Sequence, residues 1–346
     1  MDAFDPTFQS MRTFLALEAG ASRKELRGPH WILPRHGIAR SADLALTPLQ
    51  LRVSDAAGLL TPGCALGGWT SLWVQGNAMF DGIDVVGNDR DVLIHCLQGS
   101  QLCRRPGIRP SEGALFSDEL LSFENYDVST MARAVYDEMR TAANLRAAVV
   151  ALDMAISTTT GMPHTTLTAV CKVVDSHHKT RGITQARKAL GLASTRSASP
   201  WEVRTRLIAE LDADLMGLLV NAPVFGLDGS LLGIADLLDP ATGLVIESDG
   251  AGHREVAAHS AGNIREEKFE RALMVVVRVT AFEHRDRYGM ARRMRDAQRD
   301  AKAMPDDRWT LAKPDWWWTW PPALVRFLRL VGFLGSERPC EVVSSL

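Results

Sequence analysis

The chain carries no disulfide framework. Its five cysteines, Cys64, Cys96, Cys103, Cys171 and Cys340, show no CxxC pairing and no neighbouring histidine ligands, and their number is odd. They read as reduced thiols, mostly small buried apolar residues. Long apolar runs are missing as well: nothing approaches the roughly 20 residues that a membrane span requires. The opening Met1-Asp2-Ala3-Phe4-Asp5-Pro6 lacks the basic-then-apolar order of a signal peptide, so a cytoplasmic protein without membrane contact is expected. An excess of one charge is also absent. A formal net charge of -2 excludes a polycation that coats nucleic acid by bulk electrostatics, and leaves local patches as the means of contact. No internal repeat is found.

What is present is a chain of 346 residues, more than one hydrophobic core usually organises, with 46% hydrophobic and 23% charged residues, as in ordinary globular proteins. Two or three domains are expected. Residues 8–40 read as two short helices and a hairpin. Met11, Phe14, Leu15 and Leu17 are apolar-periodic and Gly20 stops the first helix. Ser22 caps a second, Ser22 to Arg27, with Glu25 in the reciprocal capping-box position. Trp31-Ile32-Leu33 and Arg35-His36-Gly37-Ile38 then form a hairpin with basic residues at its tip, and helix, turn, helix and wing is a DNA-binding arrangement.

Residues 45–155 alternate helical pieces (48–60, 69–75, 129–141 and 145–157) with strand runs such as Val92 to Cys96, a small α+β pattern. Trp69, Leu72 and Trp73 read as core. A helical stretch from Thr165 to Leu190 follows. The small polar run Ala193 to Pro200 then marks a domain boundary.

Beyond it, Leu231 to Leu238 and Leu244 to Asp249 are strand runs joined by the turn Asp239-Pro240-Ala241-Thr242-Gly243, hence a hairpin. Alternation points Glu247 and Asp249 the same way, and antiparallel pairing brings Asp236 beside them. Carboxylates that close repel one another, so the cluster asks for a cation, and an oxygen-only ligand set suits Mg²⁺ or Mn²⁺. Such an ion neutralises charge on a phosphodiester and lowers the pKa of bound water. The alternative is that Asp236 and Glu247 are strand-end acids facing water, with Asp239 and Asp249 in turns.

Taken together, Ala235-Asp236, Val245-Ile246-Glu247-Ser248-Asp249-Gly250-Ala251-Gly252-His253, Asn263-Ile264-Arg265-Glu266-Glu267 and Val275 to Thr280 resemble endonuclease-like domains related to very-short-patch repair nucleases, over about residues 199–285. The resemblance implies a PD-(D/E)xK, restriction-endonuclease-like core. Asp236, Glu247, Asp249 and His253 would be its catalytic residues. Asp236, Glu247, Asp249 and Glu202 would be its metal ligands, and Arg265 would bind phosphate. Asp249 stands where many such enzymes carry Lys, and Gly262 where relatives often have an acid.

Each assignment has a plainer rival. His253 also reads as a structural or surface histidine. Ser199 and Glu202, with Pro200 between them, also read as a capping box. Arg265 is equally placed to pair with an acid, and Arg278 to make a structural ion pair.

Gly20 to Arg27 with Arg35-His36-Gly37-Ile38 resembles the winged-helix head of AbiEi-type abortive-infection antitoxins, and Leu66-Gly67-Gly68-Trp69-Thr70-Ser71-Leu72-Trp73-Val74-Gln75-Gly76 resembles their next segment. The resemblance implies a DNA-binding repressor of a toxin-antitoxin operon, with Arg23, Lys24, Arg27 and Arg35 on DNA; the rival is a solvated helix face. The arginines between Arg285 and Arg299 add a positive stretch, or else ordinary surface ion pairs. Trp316-Trp317-Trp318-Thr319-Trp320-Pro321-Pro322 reads as packing against the fold.

The expected architecture is therefore a multi-domain α/β protein. It has a winged helix-turn-helix at 1–44, an α+β middle at 45–192, an α/β/α nuclease-like domain at 199–310 and a Trp-rich tail at 311–346. Its expected function is metal-dependent endonuclease action on DNA, in defence or mobile-element control. The alternative is a non-enzymatic antitoxin-type regulator with a degenerate nuclease fold. The expected partners are DNA and either a toxin or a second copy of the chain.

Overall fold

The computed structural model describes residues 10–96, 102–123, 126–159, 164–249, 256–305 and 308–317, with the backbone alone over 256–263. The chain is mixed α/β with three sheets, and it divides into two compact units, Met1–Ala155 with His164–Gly191 and Ile156–Pro163 with Leu192–Leu346. Among the described residues no helix is long and apolar enough to cross a membrane. No disulfide forms there either: Cys64 and Cys96 are buried, Cys171 is partly buried and Cys103 is exposed, while Cys340 lies outside the described residues.

In chain order the first unit contains β1 (Ser10–Arg12), α1 (Thr13–Glu18), β2 (Trp31–Arg35), β3 (Ile38–Ser41), α2 (Pro48–Ala57), β4 (Ala65–Gly67), α3 (Gly68–Val74), β5 (Val92–His95), β6 (Ile108–Ser111), β7 (Leu120–Ser122), β8 (Asp127–Ser129), α4 (Met131–Thr141), α5 (Leu145–Ile156), α6 (Leu167–Ser176) and α7 (Ile183–Leu190). Its strands form one sheet in the order β1-β3-β2 and another in the order β6-β5-β4-β8-β7. Short polar residues start the helices by accepting orphan backbone N–H groups: Thr47 caps α2 in a capping box with Gln50, Thr130 caps α4 and Thr166 caps α6.

The expected hairpin at Trp31 to Ser41 is present, turning through Gly37 at φ +81°. The expected helix from Ser22 to Arg27 is reduced to a 3₁₀ turn, Glu25–Arg27. The reciprocal cap does form, since Ser22 N–H reaches the Glu25 carboxylate at 2.7 Å and Glu25 N–H reaches Ser22 Oγ at 3.1 Å. Gly28-Pro29 follows at once, and so short a segment has no second turn to propagate.

The helical stretch expected over 165–190 is present as two helices, α6 and α7. The break ends at Gly182, at φ +87°, where an added Cβ would lie 2.1 Å from the Arg140 carbonyl oxygen. Trp69 and Leu72 are core and Trp73 is partly buried. A buried ionic chain crosses this unit. Arg133, 1% exposed, donates to Glu119 and Asp137; Asp137 also meets His95 at 2.9 Å and Arg140 at 2.7 Å, and Glu119 meets His177 at 2.6 Å.

The second unit runs α8 (Pro200–Leu211), β9 (Leu219–Gly226), β10 (Leu231–Asp239), β11 (Leu244–Asp249), α9 (Val256–Arg271), β12 (Val275–Thr280), α10 (Arg287–Lys302) and β13 (Trp309–Thr310). The sheet order is β12-β11-β10-β9-β13, antiparallel except for β11 beside β12, whose parallel pairing is bridged by α9. The hairpin read at 231–249 is present, with the turn residue Gly243 at φ +75° and Asp239 accepting the Ala241 N–H and the Thr242 hydroxyl.

The sheet's side chains divide into two clusters, with alternation broken at Asp236. Leu237, Leu244 and Ile246 pack with α8 and α10, while Ala235, Leu238 and Val245 pack with Phe269 of α9 and with Ala272 just after it. Each large aliphatic so buried contributes roughly 1.5–3 kcal/mol. β9 was not legible as a strand, because Asn221 and Pro223 interrupt it. The Ala193 to Pro200 run is tied down within this unit, with Thr195, Arg196 and Ser197 carbonyls accepting from Thr158, Thr159 and Ser157. Trp316 and Trp317 pack edge-on against Phe225; residues from 318 onward lie outside the described residues.

Candidate functional site

The β10–β11 ladder runs through Leu237↔Ile246 and then stops. One residue further, the Asp236 carboxylate accepts the Ser248 N–H at 2.8 Å, a side chain standing in for backbone pairing. On the other edge of β10, the ladder to β9 steps from Ala235↔Ala222 to Leu237↔Val220, leaving Asn221 between them at φ +47°. Asparagine is among the few L residues that enter this region readily. Its side-chain amide donates to Glu202 at 2.8 Å and to the Arg196 carbonyl at 2.8 Å.

Glu202, on the first turn of α8, is 8% exposed. Its N–H goes to Ser199 Oγ, and its Oε2 accepts the Ala198 N–H at 2.8 Å as well as the Asn221 amide. The capping reading is thus met in substance. The same carboxylate stands close enough to raise the pKa of Asp236, so capping and membership of the acidic centre coexist.

Glu247 is 5% exposed, so the reading of it as a water-facing strand-end acid is overturned. Arg265 of α9 pairs with its Oε2, whereas its Oε1 is buried with no hydrogen-bond partner among the described residues. Gly233 makes room for that arginine: a Cβ there would stand 2.6 Å from Arg265 Cγ and 2.9 Å from Phe269. Asp249, expected with the other acids, is held at 3.2 Å by Arg278, which also meets Glu266 at 3.3 Å.

Burial, then the nearby Glu247 and Glu202 charges, push Asp236 well above the usual carboxylate range. Burial also raises Glu247, against the opposing pull of Arg265. Two raised carboxylates and an orphaned buried oxygen fit a hard divalent cation, which takes oxygen ligands and favours both ionised forms. As they stand, though, no three His, Cys, Asp or Glu side chains among the described residues form a metal-holding group, and Arg265 and Arg278 pair with Glu247 and Asp249. His253 lies outside the described residues.

Behind the sheet, Ser248 Oγ lies 3.0 Å from Thr205 Oγ1, which lies 3.2 Å from His284 Nε2. Burial and the neighbouring Arg204 lower the His284 pKa. Sequence reasoning missed Asn221, Gly233 and this hydroxyl chain; the Asn-Ala-Pro interruption of β9 was the one visible signal.

In the first unit Arg23, Lys24 and Arg27 are exposed together around the 3₁₀ turn. Arg35 is partly buried and donates to the Pro106 carbonyl, so the hairpin tip leans on the loop before β6. On α10, Arg287, Arg293 and Arg299 are paired with Asp212, Glu283 and Asp296. No family profile matches the chain, and no characterised protein or solved structure matches it.

Proposed function

We propose that the second unit is a PD-(D/E)xK-type endonuclease domain, restriction-endonuclease-like in fold, that hydrolyses a nucleic-acid phosphodiester with Mg²⁺ or Mn²⁺. The observation that carries this reading is the closeness of the Asp236 and Glu247 carboxylates where β10 and β11 part, with Glu202 in electrostatic reach and Glu247 Oε1 without a hydrogen-bond partner among the described residues. The order α8, β9, β10, β11, α9, β12, with one parallel pair bridged by a helix, supports the same assignment.

Asp236 and Glu247 would hold the cation, with Glu202 contributing. When bound, the metal supplies Lewis acidity toward the phosphoryl oxygen and a more acidic water. The chain's own residues set the stage. Ser248 N–H orients Asp236, Asn221 orients Glu202, and Arg265, 34% exposed along its side chain, is the cation nearest Glu247 for an incoming phosphate. We assign residues 1–44, at the start of the first unit, as a winged-helix head that places the protein on DNA in the cytoplasm, through Arg23, Lys24 and Arg27.

A second reading has its own observation. Asp249 stands where such enzymes carry Lys and is tied to Arg278, while Arg265 sits on Glu247. Both favour a non-enzymatic, antitoxin-type regulator with a toxin or a second copy as partner.

The test is cleavage of plasmid and oligonucleotide DNA and of RNA with Mg²⁺ or Mn²⁺, comparing wild type with Asp236→Ala and Glu247→Ala. Loss of cutting in both variants is expected; cutting that survives both substitutions sinks the site. A wild type that is inert yet shifts operator DNA establishes the regulator.

A further inference from the structure

A cavity of about 280 Å³ opens at the other end of β10, between the β9–β10 turn and the second half of α9. Its ionisable lining is Asp228, Lys268, Arg271 and Arg308, three cations to one acid. The acid is already satisfied, because Asp228 Oδ1 accepts the Ser230 N–H at 3.0 Å and the Ser230 hydroxyl at 2.7 Å.

The cations are not matched in the same way. Lys268 reaches the Leu231 carbonyl oxygen at 3.5 Å, and among the described residues neither Lys268 nor Arg308 forms an ion pair. Arg271 pairs with Glu267, but those side chains are 78% and 59% exposed, so that pair is weak and readily exchanged. Leu232 and Ala272 give the cavity an apolar floor that strengthens the field above it.

Its place on α9 links the cavity to the acids. Arg265 contacts Glu247, and Lys268 and Arg271 follow three and six residues later, rises of about 4.5 and 9 Å along the helix. Phosphates recur about every 3.4 Å of duplex axis on one strand. A strand whose scissile phosphate lies at the level of Arg265 therefore brings phosphates about one to three nucleotides away to Lys268, Arg271 and Arg308.

We propose that this cavity binds a backbone phosphate of the nucleic-acid strand that is cut at Asp236 and Glu247, so its substrate rests on the nuclease reading above. The ligand chemistry is a phosphodiester anion, held by point-charge contacts from Lys268 and forked contacts from the two arginines. The cavity gives the strand a register relative to the acids without reading its sequence.

The test uses the full chain without divalent metal and a fluorescent short DNA duplex, titrated by anisotropy between about 50 and 200 mM salt. Lys268→Gln with Arg308→Gln changes two exposed side chains, and an unchanged melting temperature shows that the fold is kept. The expected result is a several-fold weaker affinity at low salt, with a log Kobs against log salt slope shallower by about 0.9 for one lost phosphate contact. Unchanged affinity and slope overturn the proposal.

Sodium phosphate, titrated by calorimetry, separates a strand from a free anion. Phosphate binding that the double variant loses, with duplex affinity unchanged, assigns a free-anion site and also overturns it. Cleavage in Mg²⁺ keeps the two readings apart. A wild type that cuts while the slope is unchanged loses the cavity alone; one that never cuts while the slope shift persists loses the nuclease assignment and keeps the cavity as a DNA contact.

Discussion

Asn221 gives its side-chain amide to Glu202 at 2.8 Å from a backbone held at φ +47°, at the break in the β9–β10 ladder beside Asp236. Backbone strain of this kind is kept where the surroundings over-determine it, and here the beneficiary is a carboxylate facing another carboxylate.

Asn221→Gly and Asn221→Ala separate the two parts of that arrangement. Both lose the amide bonds to Glu202 and Arg196, about 1–3 kcal/mol where a buried acceptor is left unsatisfied. Alanine also carries the left-handed penalty of about 1–2 kcal/mol, from which glycine is exempt. Chemical denaturation is expected to rank wild type above Asn221→Gly above Asn221→Ala; equal stability of the two variants would show that the backbone is not strained.

Asp236→Asn is expected to stabilise the metal-free protein at neutral pH, by about 0.5–2 kcal/mol, the range common to single stabilising substitutions. The sign follows from its raised pKa. The folded state keeps the proton at pH values where the unfolded chain has lost it, so this contribution is full below the ordinary value of 3.8 and is lost as pH rises through the folded-state value. Melting temperatures from pH 4 to 8 should show the gap between Asn and Asp widening with pH. A gap that is constant or narrows refutes the assignment.

Arg265→Gln frees the Oε2 oxygen of Glu247. Without its counter-charge the buried carboxylate costs about 1–3 kcal/mol in the apo protein. The variant should then gain more melting temperature than wild type from millimolar Mn²⁺, because the guanidinium no longer competes. Gly233→Ala should act in the same direction by displacing the Arg265 stem, with overpacking of about 1–3 kcal/mol added. Equal Mn²⁺ responses in all three proteins would separate Arg265 from the metal question.

In the first unit pH acts with the opposite sign. Burial works against Asp137, but His95, Arg133 and Arg140 outweigh it and hold its carboxyl below the usual range. The stability it contributes is present above the ordinary value of 3.8 and is lost as pH falls through the depressed folded-state value. Arg133→Met leaves Glu119 and Asp137 buried with less compensation and should cost about 3–5 kcal/mol. An effect under about 1 kcal/mol in denaturant titration would show that the chain of charges is replaceable.

The hairpin at 231–249, the cap at Ser199 and the helices α2 to α5 were legible because each rests on neighbours in sequence: alternation, a turn glycine, a hydroxyl three residues before a helix N–H. The acids Asp236 and Glu247 were legible for the same reason. The pairing of Asp249 was not legible, because Arg278 is distant in sequence and comes beside it only once β12 lies parallel to β11. β9 was hidden by Asn221 and Pro223, whose poor strand propensity is overridden by pairing on both sides. The segment 22–27 shows the converse, a correct local cap that never became a full helix.

The bond from Ser248 N–H to Asp236 ties a backbone amide to the state of one carboxyl group. Its proton should resonate downfield while the carboxylate is ionised and shift as that charge is neutralised. The Ser248 amide is in effect a built-in spectroscopic gauge, able to register a proton or a cation arriving at Asp236 before any substrate is known.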